Sequence, residues 1–84
     1  MNSLETCEPY SIEACKQAGN YLGKEVNVGD YGTKGCYGYK SGKYSASLWY
    51  GTGGTDAKNK ETLKGSNFRP TGYDCKFEKG KHLN

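Results

Sequence analysis

Residues 31–55 read YGTKGCYGYKSGKYSASLWYGTGGT, a stretch in which a cysteine and a series of aromatic residues alternate with small and polar ones around a central Ser41-Gly42. The alternation predicts a β-hairpin with strands over 34–39 and 43–50, and the Ser-Gly pair between Lys40 and Lys43 is suited to a two-residue turn. With that turn, Lys40 faces Lys43, Tyr39 faces Tyr44, Tyr37 faces Ala46 and Cys36 faces Ser47. One side then carries Tyr37, Tyr39, Tyr44, Ala46, Leu48 and Tyr50, and the other carries Cys36, Gly38, Ser45, Ser47 and Trp49. The assignment depends on the turn, because a loop longer by one residue changes which faces coincide.

Upstream, Pro9 holds Glu8 extended and Ser11 can cap a helix over 11–19. Ile12, Cys15, Ala18 and Leu22 recur at helical spacing and define its inward face, while Gly19-Asn20 is expected to stop it after about two turns. Docking is expected through Ile12 and Cys15. Residues 24–28, KEVNV, form a short strand with Val26 and Val28 on one side, and Gly29-Asp30 turns the chain toward the hairpin. Beyond the hairpin, Gly51–Thr55 is a turn-rich connection, 56–64 has the pattern of a weak helix capped by Thr55 or Asp56, and 65–72 is a loop in which Phe68 plugs the core. A last half-buried strand is expected over 73–78, with Tyr73, Cys75 and Phe77 on one side.

The chain of 84 residues is one domain, 1–84 with a structured core over about 7–78, and it is too short to be comfortably stable on an apolar core alone. Hydrophobic residues make up 33% and glycine occupies 13 positions, so backbone entropy weighs against a thin apolar gain. The 4 cysteines, Cys7, Cys15, Cys36 and Cys75, supply the remedy. They contain no Cys-x-x-Cys pair, and the 1 histidine, His82, follows the last of them, which argues for cross-links over zinc ligation. Cys15 lies on the inward helical face and Cys36 in the central strand, so these two are expected to pair, leaving Cys7 and Cys75 to close the ends. Disulfides point to a secreted or extracellular setting. MNSLETCEPY lacks an apolar leader, so the chain is expected to be a mature or excised domain behind Met1. No run is apolar enough for membrane insertion, and no Asn-x-Ser/Thr sequon occurs.

Net charge is +3, with lysines scattered from Lys16 to Lys81. The cluster of Lys76, Lys79, Lys81 and His82 reads as a solvated tail rather than a nucleic-acid patch. Gly51-Thr52-Gly53-Gly54-Thr55 lacks the Lys-Ser/Thr and the parallel βαβ context of a phosphate loop. A hydrolytic nucleophile would need a base, which His82 in the tail does not provide. Asp30, Asp56, Glu61 and Asp74 show no spacing that joins two carboxylates for glycoside chemistry. These observations predict a non-enzymatic protein without cofactor or metal.

The segments TKGCYGYKSGKY, WYGTGGT and RPTGYDC resemble a small cysteine-containing module that recurs in predicted secreted or multidomain proteins of diatoms and other microalgae. The shared features are a Lys-Gly-Cys-aromatic strand, a Tyr-Gly-x-Gly-Gly-Thr turn and an Arg-Pro-x-Gly-Tyr-Asp-Cys end. The resemblance runs from about Cys7 to Cys75. It implies an extracellular module, often one of several in a chain, and carries over no catalytic or binding residue.

The expected architecture is α+β: a small disulfide-stapled domain with an antiparallel sheet of three or four strands and one short helix docked on it. The candidate binding surface is the hairpin face of Tyr37, Tyr39, Tyr44 and Tyr50, with Lys40 and Lys43 as rim contacts to a carbohydrate or cell-wall polymer. Trp49 is expected on the helix side, in the core. The alternative is a structural or protein-interaction module of an extracellular assembly, or a small secreted effector or inhibitor, for which the same tyrosines are packed rather than open.

Overall fold

The structure is a computed structural model that describes residues 7–77. Helix α1 spans Ile12–Leu22 and is followed by strands β1 (Glu25–Gly29), β2 (Gly35–Tyr39) and β3 (Ser47–Gly51), the single helical turn α2 (Asp56–Asn59), and the short strand β4 (Asn67–Phe68). The domain is α+β, with α1 laid on a four-stranded sheet of order β1-β3-β2-β4. β2 pairs antiparallel with both β3 and β4, whereas β1 runs parallel to β3, so the sheet is mixed and not wholly antiparallel. The chain reaches this arrangement by sending β2 past the neighbour position of β1 and folding β3 back into the gap, which makes β3 a central strand.

Helix α1 begins where Ser11 accepts a hydrogen bond from the Ala14 amide at 3.0 Å, an N-cap that satisfies one of the first free donors. It continues past Gly19-Asn20 and ends at Gly23, whose φ of 73° lies in the left-handed region. There the Gly23 amide donates to Asn20 O and the Lys24 amide to Gly19 O, a Schellman closure. Gly19 does not stop the helix because its role is contact. A Cβ at this position would sit 2.6 Å from Val26 Cγ2 and 2.7 Å from the Lys24 carbonyl. The buried face is therefore Ala14, Cys15, Ala18 and Gly19, a stripe of small side chains that lets helix and sheet approach closely. Ile12 and Leu22, expected inward, are 37% and 39% exposed at the two ends of the helix.

Beneath this stripe lies the core of Cys36, Leu48, Tyr50 and Tyr73, with Tyr10, Val26 and Phe77 packed around it. The Cys15–Cys36 disulfide passes through its centre and joins α1 to β2, with a Cα separation of 5.5 Å. The Cys7–Cys75 disulfide, with a Cα separation of 6.0 Å, closes the two ends of the described chain against each other. Beside it, the Tyr10 amide donates to Tyr73 O, and the Tyr73 hydroxyl donates back to Tyr10 O across an edge-to-face ring contact.

The segment expected as a final strand over 73–78 is a succession of turns in its described part. The Tyr73 amide bonds to Pro70 O and the Cys75 amide to Gly72 O, and Cys75 takes a φ of 67°, incompatible with an extended strand. Its last residue, Glu78, lies outside the described residues. Tyr73 is nonetheless a core residue. The expected helix over 56–64 is confined to α2, capped by the Thr55 hydroxyl, because no apolar face draws the rest onto the sheet. Within the expected loop over 65–72, Asn67 and Phe68 pair with Tyr39 and Gly38 as β4, and the absence of a side chain on Gly38 makes room for the Phe68 ring.

A candidate binding face opposite the helix

The register between β2 and β3 places Cys36 opposite Tyr50, Tyr37 opposite Trp49 and Gly38 opposite Leu48. This is a three-residue offset from the pairing a Ser41-Gly42 hairpin would give, and an odd offset exchanges the faces of every β3 residue. Residues 40–46 are loop instead of strand. Ser41-Gly42 does turn, with Gly42 at a φ of 93°, but inside the longer excursion; the amide and hydroxyl of Ser45 both donate to Gly42 O.

Trp49 accordingly leaves the helix side and joins Tyr37 and Tyr39 on the opposite face, while Tyr50 and Leu48 turn inward toward Cys36. Tyr50, expected on the candidate binding surface, is 7% exposed and contacts Tyr73. Tyr37 is 4% exposed yet separate from the helix-side core cluster. It is the floor of a second, aromatic layer. Burial, followed by the neighbouring Tyr39 and Tyr31, pushes its phenol pKa up to about 12, so it stays neutral under ordinary conditions.

On this floor the rings form a connected strip. Tyr37 meets Tyr39 at a centroid distance of 5.8 Å, Tyr39 meets Tyr44 at 5.4 Å, Tyr44 meets Trp49 at 5.8 Å and Trp49 meets Tyr31 at 5.6 Å. Strand geometry supplies Tyr37, Tyr39 and Trp49; the two loops at opposite ends of the sheet supply Tyr44 and Tyr31. The Trp49 indole N–H donates to Tyr44 O at 3.3 Å and anchors the 40–46 loop to β3. Tyr31 lies over Gly29, where a Cβ would be 2.9 Å from its Cζ. Tyr44 is the outermost ring at 49% exposed, and Tyr31, Tyr39 and Trp49 are half-buried.

Of the two rim lysines, Lys43 contacts this strip. Lys43 places its ammonium 5.3 Å from the Tyr44 ring centroid, a cation–π contact, and Lys40 is exposed with its amide bonded to Ser66 O. Of the sequence-expected residues, the structure therefore brings together Tyr37, Tyr39, Tyr44 and Lys43, leaves Lys40 exposed next to Tyr39 in the chain, and removes Tyr50. It adds Trp49 and Tyr31. The second strand begins only at Ser47, and no β-branched residue marks that boundary, since KYSA at 43–46 and SLWYG in β3 lack one alike.

Lys34 and Arg69 are committed to structure. Lys34 bonds both Asp30 Oδ1 and Thr52 O at 2.7 Å, which ties down the glycine-rich 51–55 connection. The hydrogen bond and charge of Lys34 hold the Asp30 carboxyl below its usual range. Arg69 donates from Nε to Glu61 O, from Nη1 to Lys34 O and Cys36 O, and from Nη2 to Lys58 O, while its guanidinium packs 5.9 Å from the Tyr73 ring. Burial lowers its pKa, and Tyr73 and Glu61 oppose that shift. Among the described residues, no three His, Cys, Asp or Glu side chains gather into a metal-binding group, and no helix is long and apolar enough to cross a membrane.

Comparison of the chain with protein-family models, with curated proteins and with solved structures returns no match.

Proposed function

We propose that this domain is a non-catalytic extracellular binding module for carbohydrate or cell-wall polymer, and that it contacts its ligand through the aromatic face opposite α1. The observation that carries the proposal is the strip of Tyr39, Tyr44, Trp49 and Tyr31, partly open to solvent on the side of the sheet that the helix leaves free. Aromatic rings offer the apolar faces that sugar C–H surfaces stack on, and they lose little rotamer entropy when they do so. Lys40 and Lys43 supply donors at one end. The disulfides support the extracellular part of the proposal, and the resemblance to the microalgal module agrees with it.

A second reading is a structural or protein-interaction module, including an effector or inhibitor. It is favoured by the near-perpendicular contacts of Trp49 with Tyr31 and Tyr44, at 83° and 84°, which lock the rings against one another instead of spreading them in one plane. A glycan-array screen followed by NMR titration of a hit, at low and high salt, separates the two. Shifts confined to Tyr31, Tyr39, Tyr44, Trp49 and their neighbours, and lost in Trp49→Ala, support glycan binding. A folded protein that binds no glycan on the array removes it in favour of the second reading.

A further inference from the structure

We infer that Tyr39 and Tyr44 form a site of oxidative phenolic coupling, at which a haem peroxidase with hydrogen peroxide joins the two rings into an intramolecular biphenol. The inference rests on ring geometry and access, and is independent of whether the face binds glycan.

Four tyrosine–tyrosine ring contacts occur among the described residues: Tyr10–Tyr73, Tyr37–Tyr39, Tyr39–Tyr44 and Tyr50–Tyr73. Three of them include a ring sealed from solvent, since Tyr73, Tyr37 and Tyr50 are 2%, 4% and 7% exposed. Tyr39–Tyr44 alone joins two rings that both reach the surface, one half-buried and the other 49% exposed. Their centroids are 5.4 Å apart at a 43° tilt, without the perpendicular locking seen at Trp49. The mechanical setting also fits. Tyr39 is held at the end of β2, while Tyr44 rides on the loop over 40–46 and can close the remaining distance without breaking a strand pairing. The contact of Tyr44 with Trp49, itself in contact with Tyr31, gives a vacancy formed on any of these rings a short route to Tyr44.

The chemistry closes on these components. Each phenol gives up one electron and one proton to the oxidised haem enzyme and becomes a phenoxyl radical. The two radicals combine through the ring carbons ortho to oxygen, and each coupled carbon passes its hydrogen to the phenoxyl oxygen to restore the aromatic ring. Hydrogen peroxide is reduced to two waters, and the protein loses two hydrogen atoms. The product ties the exposed loop to the sheet as a third covalent link, and fixes Tyr44 in place on the aromatic face.

The test treats the dilute, disulfide-intact protein with a haem peroxidase and limiting hydrogen peroxide. After the cross-linking step, reduction and alkylation followed by trypsin leave Tyr39 on peptide 35–40 with Tyr37, and Tyr44 on peptide 44–58 with Tyr50, so a link between the two peptides is assigned to Tyr39 and Tyr44 by fragmentation in the mass spectrometer. The expected product is a monomer lighter by two hydrogens, with biphenol fluorescence and a 39–44 cross-linked peptide pair. Its yield should fall several-fold in the reduced and alkylated protein, where the folded ring contact is lost and the peroxidase stays active. Tyr44→Phe should abolish it and Tyr31→Phe should leave it. A dominant link on any other pair, a product that is mainly intermolecular, or a yield unchanged in the reduced and alkylated protein overturns the inference. The peptide map of the unsubstituted protein decides the point even if the Tyr44→Phe chain fails to fold.

Discussion

Replacing Arg69 with alanine tests whether a single cation organises the carbonyl-rich side of the sheet. The guanidinium serves four backbone carbonyls, from Lys34 and Cys36 beside and within β2 and from Lys58 and Glu61 around α2. The bonds to Lys58 and Glu61 lie at the surface, so those carbonyls return to water and cost little. The bonds to Lys34 and Cys36 are part-buried at 2.7 Å, and a desolvated carbonyl left without its donor costs about 1–3 kcal/mol. Loss of the contact with the Tyr73 ring adds roughly 0.5–1 kcal/mol. The expected total is about 4 kcal/mol, a large share of the stability of a small domain. Urea unfolding of the disulfide-intact protein, followed by Trp49 fluorescence, measures it. Arg69→Lys should fall between, because an ammonium carries the charge but cannot span four carbonyls in one plane. A loss below about 1 kcal/mol in Arg69→Ala would show that water replaces the guanidinium at Lys34 and Cys36, and would refute the reasoning.

Gly19→Ala gains roughly 1 kcal/mol of helix propensity but drives a methyl into Val26 and the Lys24 carbonyl, so a net loss of about 1–2 kcal/mol in urea is expected. Opening the disulfides removes chain constraints worth about 3 kcal/mol for Cys15–Cys36 and about 4 kcal/mol for Cys7–Cys75; reduction should therefore abolish the near-ultraviolet dichroism of the packed aromatics. Burial raises the phenols of both Tyr37 and Tyr73 to about 12, so between pH 10 and about 12 the folded state holds protons that the unfolded state has released. Stability is thus expected to be intact below about pH 10 and to fall as pH rises through that window, and phenolate absorbance should show these tyrosines ionising last. On the aromatic face, Tyr44→Ala should weaken any glycan hit about tenfold or more while shifting the urea midpoint little, because the ring is 49% exposed. An unchanged dissociation constant in a folded Tyr44→Ala protein would count against the face.

The α+β class was legible in local patterns: a capped helical stripe, an aromatic strand around Cys36 and too few apolar residues to dispense with cross-links. The Cys36 side of β2 was legible as well, since a helix carrying Cys15 has to cover it. The register of β3 was not legible from turn chemistry, but it follows from an energetic comparison. The tight Ser41-Gly42 hairpin would place Ser45, Ser47 and Trp49 beneath the helix and leave Leu48 outside. The observed register buries Leu48 and Tyr50 against Cys36, gains roughly 1.5–3 kcal/mol for the leucine and keeps serine hydroxyls out of the core. Against that, lengthening the loop costs only about 0.6 kcal/mol per doubling. The parallel pairing of β1 with β3 had no such local trace, because insertion of β3 between β1 and β2 is a choice among whole-sheet topologies.

The resulting domain divides its aromatic residues by task. Tyr10, Tyr50 and Tyr73 stand in for the aliphatic core this chain lacks, and they cluster with both disulfides on the helix side. Tyr37 seals the opposite side of the same sheet, which leaves Tyr31, Tyr39, Tyr44 and Trp49 resting on a floor they do not themselves have to form. Two of these four, Tyr31 and Tyr44, come from loops, where the helix-side core places no demand on their identity. Substitution there can change the chemistry of the open face at little cost to folding, whereas the same change at Tyr37 or Tyr73 opens a cavity in one of the two layers. One committed side and one open side thus arise from the odd register of a single strand, and the open side is the one the proposed binding reading uses.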